Sequence, residues 1–150
     1  MILRESDVLE IVRVARQKGE RANLSGHDLS GLGLYKADLR GVDMTAARLS
    51  HANLGGADLS QATLRRADLS EAYFSNANLS GADLGQANLF GARMVGANLR
   101  GADLSGTYLQ GADFSQADLQ DADLRAARYD SKTRWPLTFD PDAAGATRRG

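Results

Sequence analysis

From Ala22 to Ser131 the chain repeats every five residues, and the register never slips. Leu, or Met, Phe or Tyr in its place, recurs at every fifth position from Leu24 to Tyr129, which makes twenty-two consecutive units. Two residues before it stands Ala in most units, and Asp or Asn usually lies between, as in Ala57-Asp58-Leu59 and Ala97-Asn98-Leu99. A period of five fits neither the 3.6-residue turn of a helix nor the two-residue alternation of a strand. It describes a chain that turns a corner once per unit.

Each unit holds only one large apolar side chain and one Ala, too little to form a core by itself. Units must therefore stack and bury these residues against one another. The other three positions face outward. Asp and Asn there can accept hydrogen bonds from nearby backbone and hold a turn. The recurring glycines, Gly26, Gly31, Gly41, Gly56, Gly81 and Gly101 among them, suit corners that need a positive φ. Inward Leu and Ala imply a narrow interior.

These units resemble the pentapeptide-repeat family, whose unit is written A(D/N)LXX. The resemblance covers residues 22–131. It implies an all-β solenoid, a right-handed quadrilateral β-helix with four units per coil and about 5.5 coils. At the usual strand spacing the shaft is roughly 26 Å long. The chain then divides into an N-terminal capping helix (1–21), the repeat shaft (22–131), and a C-terminal cap with a flexible tail (132–150).

A twenty-residue coil predicts which outward side chains stack. One column reads Asp28, Arg48, Asp68, Asn88, Tyr108, Arg128, with Tyr108 placed to stack under Arg128. A second reads Tyr73, Arg93, Asp113; another reads Asp38, Asp58, Asn78, Asn98, Asp118. The column Asp43, Thr63, Asp83, Asp103, Asp123 ends in an acidic ladder with no counter-charge of its own, a candidate cation site set against simple turn-holding.

Both ends of such a shaft need covers. Residues 6–18 read as a helix with Ser6 as N-cap, an apolar stripe at Val8, Ile11, Val12 and Ala15, and Gly19 as its stop. Leu32 and Val42 are the inward residues expected to meet that stripe. At the far end Trp135, Leu137 and Phe139, between Pro136 and Pro141, supply apolar cover. Ala143–Gly150 carries no periodicity and is expected to be mobile.

Chemistry needs a non-repeating set of polar groups in a concavity, and the repeat offers none. The only histidines are His27, at an inward slot, and His51, at a corner; both read as structural or surface residues. Gly31-Leu32-Gly33 has Lys36 where a dinucleotide fingerprint needs its third glycine. No catalytic set, cofactor or metal site is expected. The absence of cysteine excludes disulfides and thiolate metal sites. No stretch is apolar enough to span a membrane and the first residues lack an apolar run, so a cytoplasmic, bacterial protein is the expectation.

Outward aromatics are the stronger functional signal. Tyr35, Tyr73, Phe90 and Tyr108 occupy slots facing solvent, and Tyr73, Phe90, Arg93 and Val95 are expected to flank one corner as a partner-binding cluster. Arg65 and Arg66 read as a solvated basic point. The functional expectation is a non-enzymatic, protein-binding scaffold, a monomer or weak end-to-end dimer. The resemblance implies one alternative, a DNA-mimicking modulator of type II topoisomerase that confers inhibitor resistance. Residues 22–131 contain 13 Asp or Glu and 9 Lys or Arg, a weak negative balance for imitating DNA, and a net charge of −1 for the chain argues against binding nucleic acid.

Overall fold

The structure is a computed structural model that describes residues 2–150. Residues twenty apart pair as parallel bridges, from Asn23↔Asp43 without interruption to Tyr108↔Arg128. The chain is therefore a right-handed, four-sided β-helix. Its four faces are named here by their first bridged residue: Asn23, Asp28, Gly33 and Asp38.

Each face is short because each unit turns. In a representative corner Ala57 N–H donates to the Leu54 carbonyl at 3.1 Å, closing a turn over Gly55 and Gly56. The third residue of that turn is left-handed, as in a type II turn. It has φ between 57° and 71° at every corner from Gly26 to Ala126. Eleven of these corners carry no glycine, Lys36, Ala46, Glu71 and Gln86 among them. Glycine is thus favoured at the corner but not required there.

The outward Asp and Asn hold the corners, as their position in the unit predicts. Asp58 Oδ1 accepts from Ser60 N–H at 3.0 Å, and Asn78 Oδ1 does the same for Ser80 N–H at 3.0 Å. Between coils, backbone bonds satisfy the ladder, as where Leu24 N–H donates to the Asp43 carbonyl at 2.7 Å. The interior is the predicted stack of Leu and Ala, buried from Leu24 to Leu124 except at part-exposed Leu32, Ala37 and Ala122 near the two ends, with Phe74 and Phe114 as its largest members. Thr107 replaces an inward Ala, and its hydroxyl donates to the Leu104 carbonyl at 2.7 Å, so the buried oxygen is satisfied.

Helix α1 (Glu5–Gln17) covers the first coil with Val8 and Val12 buried and Ile11 and Ala15 packed beside them. Val42 is buried and Leu32 packs against the same cluster. The N-cap is Arg4, not Ser6, because the Asp7 carboxylate turns back to accept Arg4 N–H at 2.8 Å. Gly19 follows the helix with φ 68°. Arginines finish the cover: Arg16 bonds the Asp38 and Arg40 carbonyls at 3.2 and 3.3 Å, and Arg21 bonds the Gly41 carbonyl at 2.6 Å. The Asp38 and Arg40 carbonyls belong to a coil edge that has no further coil to pair with, and the Gly41 carbonyl is a corner group outside the ladder.

At the other end Trp135 stacks between Phe114 and Phe139, each 5.2 Å away, with Tyr129 edge-on at 5.5 Å. Leu137 takes no part in this cover and is 94% exposed. The coil register slips by one residue here, with Asp113 bridging to Arg134. Ala143–Gly150 departs from its expected lack of structure: the segment returns to the shaft, and β2 (Thr147–Arg148) pairs in parallel with β1 (Arg128–Tyr129). Tyr129 Oη donates to Asp142 Oδ1 at 2.6 Å and anchors that return.

Candidate functional site

The four large exposed apolar side chains of the shaft are all aromatic and lie on two adjoining faces and their corners. Tyr73 (39% exposed) is on the Gly33 face and Tyr108 (41%) on the Asp28 face, Phe90 (51%) stands at the corner between them, and Tyr35 (61%) stands at the other corner of the Gly33 face. The other two faces carry polar and charged residues only at their large exposed positions.

Short-range packing explains each position. The Tyr35 ring lies against Gly55, where an added Cβ would come within 3.2 Å of the ring. Gly55 has no positive φ, so its glycine serves this close approach and not the turn. Tyr73 lies under the Arg93 guanidinium at 5.2 Å, and Tyr108 under Arg128 at 5.0 Å, both one coil apart as the column map predicts. Asp28 and Arg48 approach to 4.0 Å in the same way.

Two shallow depressions flank Phe90. One, of about 470 Å³, is lined by Phe90 with two carboxylates, Glu71 and Asp113, and three cations, Arg93, Lys132 and Arg134. The other, of about 580 Å³, is lined by Asn88, Phe90, Tyr108, Gln110 and Asp130. Of the residues expected to cluster, Arg93 joins Tyr73 to Phe90, whereas half-buried Val95 lines neither depression. Tyr108 takes the place assigned to Val95. The twenty-residue column that contains Asn88 and Tyr108 held that signal, since Phe90 is only two residues from Asn88.

The acidic ladder also differs from expectation. Asp83, Asp103 and Asp123 do stack, but they are not without counter-charge. Arg65 Nη1 lies 3.0 Å from Asp83 and 3.6 Å from Asp103, and Arg125 pairs with Asp123 at 2.7 Å. Gly85 makes this possible, because a Cβ there would strike the Arg65 guanidinium. Arg65 is therefore not simply a solvated basic point. Each carboxylate also accepts a backbone N–H two residues on, at 2.9 to 3.0 Å. Among the described residues no group of three His, Cys, Asp or Glu could hold a metal ion. His27 is half-buried, with Nδ1 3.2 Å from the Ser25 carbonyl, and His51 is an exposed corner residue. No helix among the described residues is long and apolar enough to cross a membrane.

A family model described as "Pentapeptide repeats" matches in eight copies across residues 20–45, 43–81, 67–106 and 92–128. Among solved structures, a pentapeptide repeat protein (Rfr23) from the cyanobacterium Cyanothece 51142 is 30% identical. That match covers 87% of this chain and 98% of the other, with a TM-score of 0.79. HetL, a pentapeptide repeat protein involved in heterocyst differentiation regulation in Nostoc sp. strain PCC 7120, is 30% identical with a TM-score of 0.74. The match covers 83% of this chain and 55% of HetL. A pentapeptide repeat protein of the Arabidopsis thaliana thylakoid lumen is 36% identical over 70% of this chain and 74% of its own, with a TM-score of 0.65. No match was found among curated proteins.

Proposed function

This chain belongs to the pentapeptide-repeat family, and from that premise we propose that it is a non-enzymatic rod that binds another protein along one edge. The edge is the corner between the Asp28 and Gly33 faces, with Phe90 at its centre and Tyr73, Arg93 and Tyr108 around it. The observation that carries this reading is the one-sided distribution of the exposed aromatics. Aromatic side chains and arginine supply much of the energy of protein interfaces, and they do so in clusters. A rigid shaft holds such a cluster at little entropic cost on binding.

Affinity capture from the native host, repeated with Phe90→Ala, Tyr73→Ala and Arg100→Ala, tests the proposal. One partner should be lost in the first two variants and kept in the third, which alters the Asp38 face. A partner retained by all three, or equally reduced by Arg100→Ala, would sink the assignment of this edge. The alternative, a DNA-mimicking effect on gyrase, asks for unbroken acidic faces. Here Arg40, Arg65, Arg100 and Arg125 each pair with a carboxylate of the two polar faces. In a gyrase supercoiling assay with and without quinolone, neither inhibition nor protection is expected.

A further inference from the structure

We propose that the depression between Phe90 and Tyr108 receives an arginine side chain from the bound partner; this rests on reading the Phe90 edge as a protein-binding surface. Asp130 follows Tyr129 in the last repeat unit. Its Oδ1 accepts three backbone hydrogen bonds, from Gly111 N–H at 3.0 Å, Lys132 N–H at 3.0 Å and Thr133 N–H at 3.1 Å, while the Thr133 hydroxyl donates to the Leu109 carbonyl at 2.9 Å. Gly111 N–H thus finds a side-chain oxygen where other corners find a backbone carbonyl, as Gly91 N–H does at Gln110. That structural work occupies one carboxylate oxygen. Oδ2 has no hydrogen-bond partner, and Asp130 has no ion pair, among the described residues.

The surroundings favour a cation of one particular shape. Phe90 and Tyr108 present ring surface, Asn88 and Gln110 present amides, and Asp130 is the only charged residue in the lining. Arg128 sits over Tyr108 but does not line the depression, and Lys132 lines the neighbouring one. Burial pushes the Asp130 carboxyl up, but the hydrogen bonds from Gly111, Lys132 and Thr133 outweigh it and hold the group below its ordinary value. It is a fixed anion at neutral pH. Aromatic faces beside a fixed carboxylate attract a cation, and a planar guanidinium can both stack on a ring and donate to the carboxylate. An ammonium does only part of this. The companion depression sets two carboxylates, Glu71 and Asp113, against three cations, Arg93, Lys132 and Arg134, so its excess charge is positive and does not invite a guanidinium.

Asp130→Asn separates the structural role from the binding role. The Asn side-chain oxygen can still accept from the Gly111, Lys132 and Thr133 N–H groups, while the charge is gone. The full chain is titrated with the blocked tripeptide acetyl-Gly-Arg-Gly-amide and with its citrulline analogue, which is uncharged and nearly the same shape. Backbone NMR shifts are read residue by residue. The arginine peptide should move resonances of Asn88, Phe90, Tyr108, Gln110 and Asp130. The citrulline peptide and Asp130→Asn should each weaken binding by about tenfold, the loss of one charge-assisted hydrogen bond. Equal affinity for the two peptides, equal affinity of the Asn variant, or shifts centred elsewhere would overturn the site. In host capture, a partner lost in Phe90→Ala but unaffected by Asp130→Asn keeps the binding edge and removes the arginine site. A partner indifferent to Phe90→Ala, beside intact peptide binding at Asp130, removes the edge and keeps the site.

Discussion

A corner residue in this chain answers to its backbone before its side chain. Ala46 sits at φ 58° with an exposed methyl, and a left-handed conformation costs an L-residue about 1–2 kcal/mol. Glycine would relieve that strain and add back about 0.5–1 kcal/mol of chain entropy cost. Ala46→Gly is therefore expected to raise stability by about 0.5–1 kcal/mol. Gly101→Ala, at φ 66° with nothing within 4 Å of the added Cβ, should lower it by a similar amount. Chemical denaturation of the two variants gives the comparison, and a stabilised Gly101→Ala would refute this account of the corners. The acids that hold the turns respond to pH. Hydrogen bonds from Ser30 hold Asp28 below its ordinary value, those from Thr45 do the same for Asp43, and Arg125 does so for Asp123. Their native pKa values are depressed, so the unfolded chain takes up protons first as pH falls. Their contribution is complete above the unfolded value of about 3.9 and is lost below it, through the lower native values. Asp28→Asn with Asp43→Asn should fold at pH 7, since Asn fills the same role at position 78, and should lose less stability between pH 5 and pH 2 than the parent. The repeat unit makes the turn-holding role of Asp and Asn legible from sequence. The eleven left-handed corners without glycine are not legible, because ladder bonds on both sides override local preference.

The elements show the same division. Apolar spacing locates the capping helix to within a residue of its observed bounds. Its N-cap is missed because Asp7 performs the capping from inside the first turn, so Arg4 needs no capping side chain of its own. The C-terminal strand β2 is invisible to periodicity: it is one pair of residues bound through backbone groups, with Ala146 its single buried neighbour. Arg65 is missed for another reason. Its length carries the guanidinium past its own coil to carboxylates 18 and 38 positions on, beyond any rule about adjacent residues. The Trp135 stack yields a prediction at this scale. Trp135→Ala should destabilise the protein by about 3–5 kcal/mol, as removal of a packed aromatic ring does. Trp135→Phe should cost much less, because it keeps an apolar ring and removes an indole N–H that has no partner among the described residues. Thermal melts followed by circular dichroism distinguish the two; equal losses would mean that the ring stack does not secure the end.

For the molecule as a whole, the core and the surface obey separate rules. Most inward positions hold Leu, Ala or close substitutes, with His27 and Thr107 as exceptions, while outward residues vary, so the fold is readable from the repeat and the proposed binding edge is not. Phe90, Tyr108 and Asp130 come together only after the coil is closed at twenty residues and the register has slipped at the last turn. Tyr108 is legible in the twenty-residue column that contains Asn88, and it lines the depression beside Phe90 where Val95 does not.

The parallel ladder has a direction of growth, like a crystal that adds one layer at a time. Any coil presents the template for the next, so such a chain must carry its own terminators. Helix α1 with Arg16 and Arg21 poisons growth at one end. At the other end Gly145, Thr147 and Arg149 fill bonding positions of the final coil on two faces, receiving Ala126 N–H and donating to the Ala127 and Tyr129 carbonyls. The tail is then a stopper whose removal exposes a template instead of merely shortening the chain. A variant ending at Asp142 should form concentration-dependent assemblies under conditions where the full chain does not, as sedimentation velocity would record. A truncated chain with unchanged sedimentation would show that the tail closes nothing that matters.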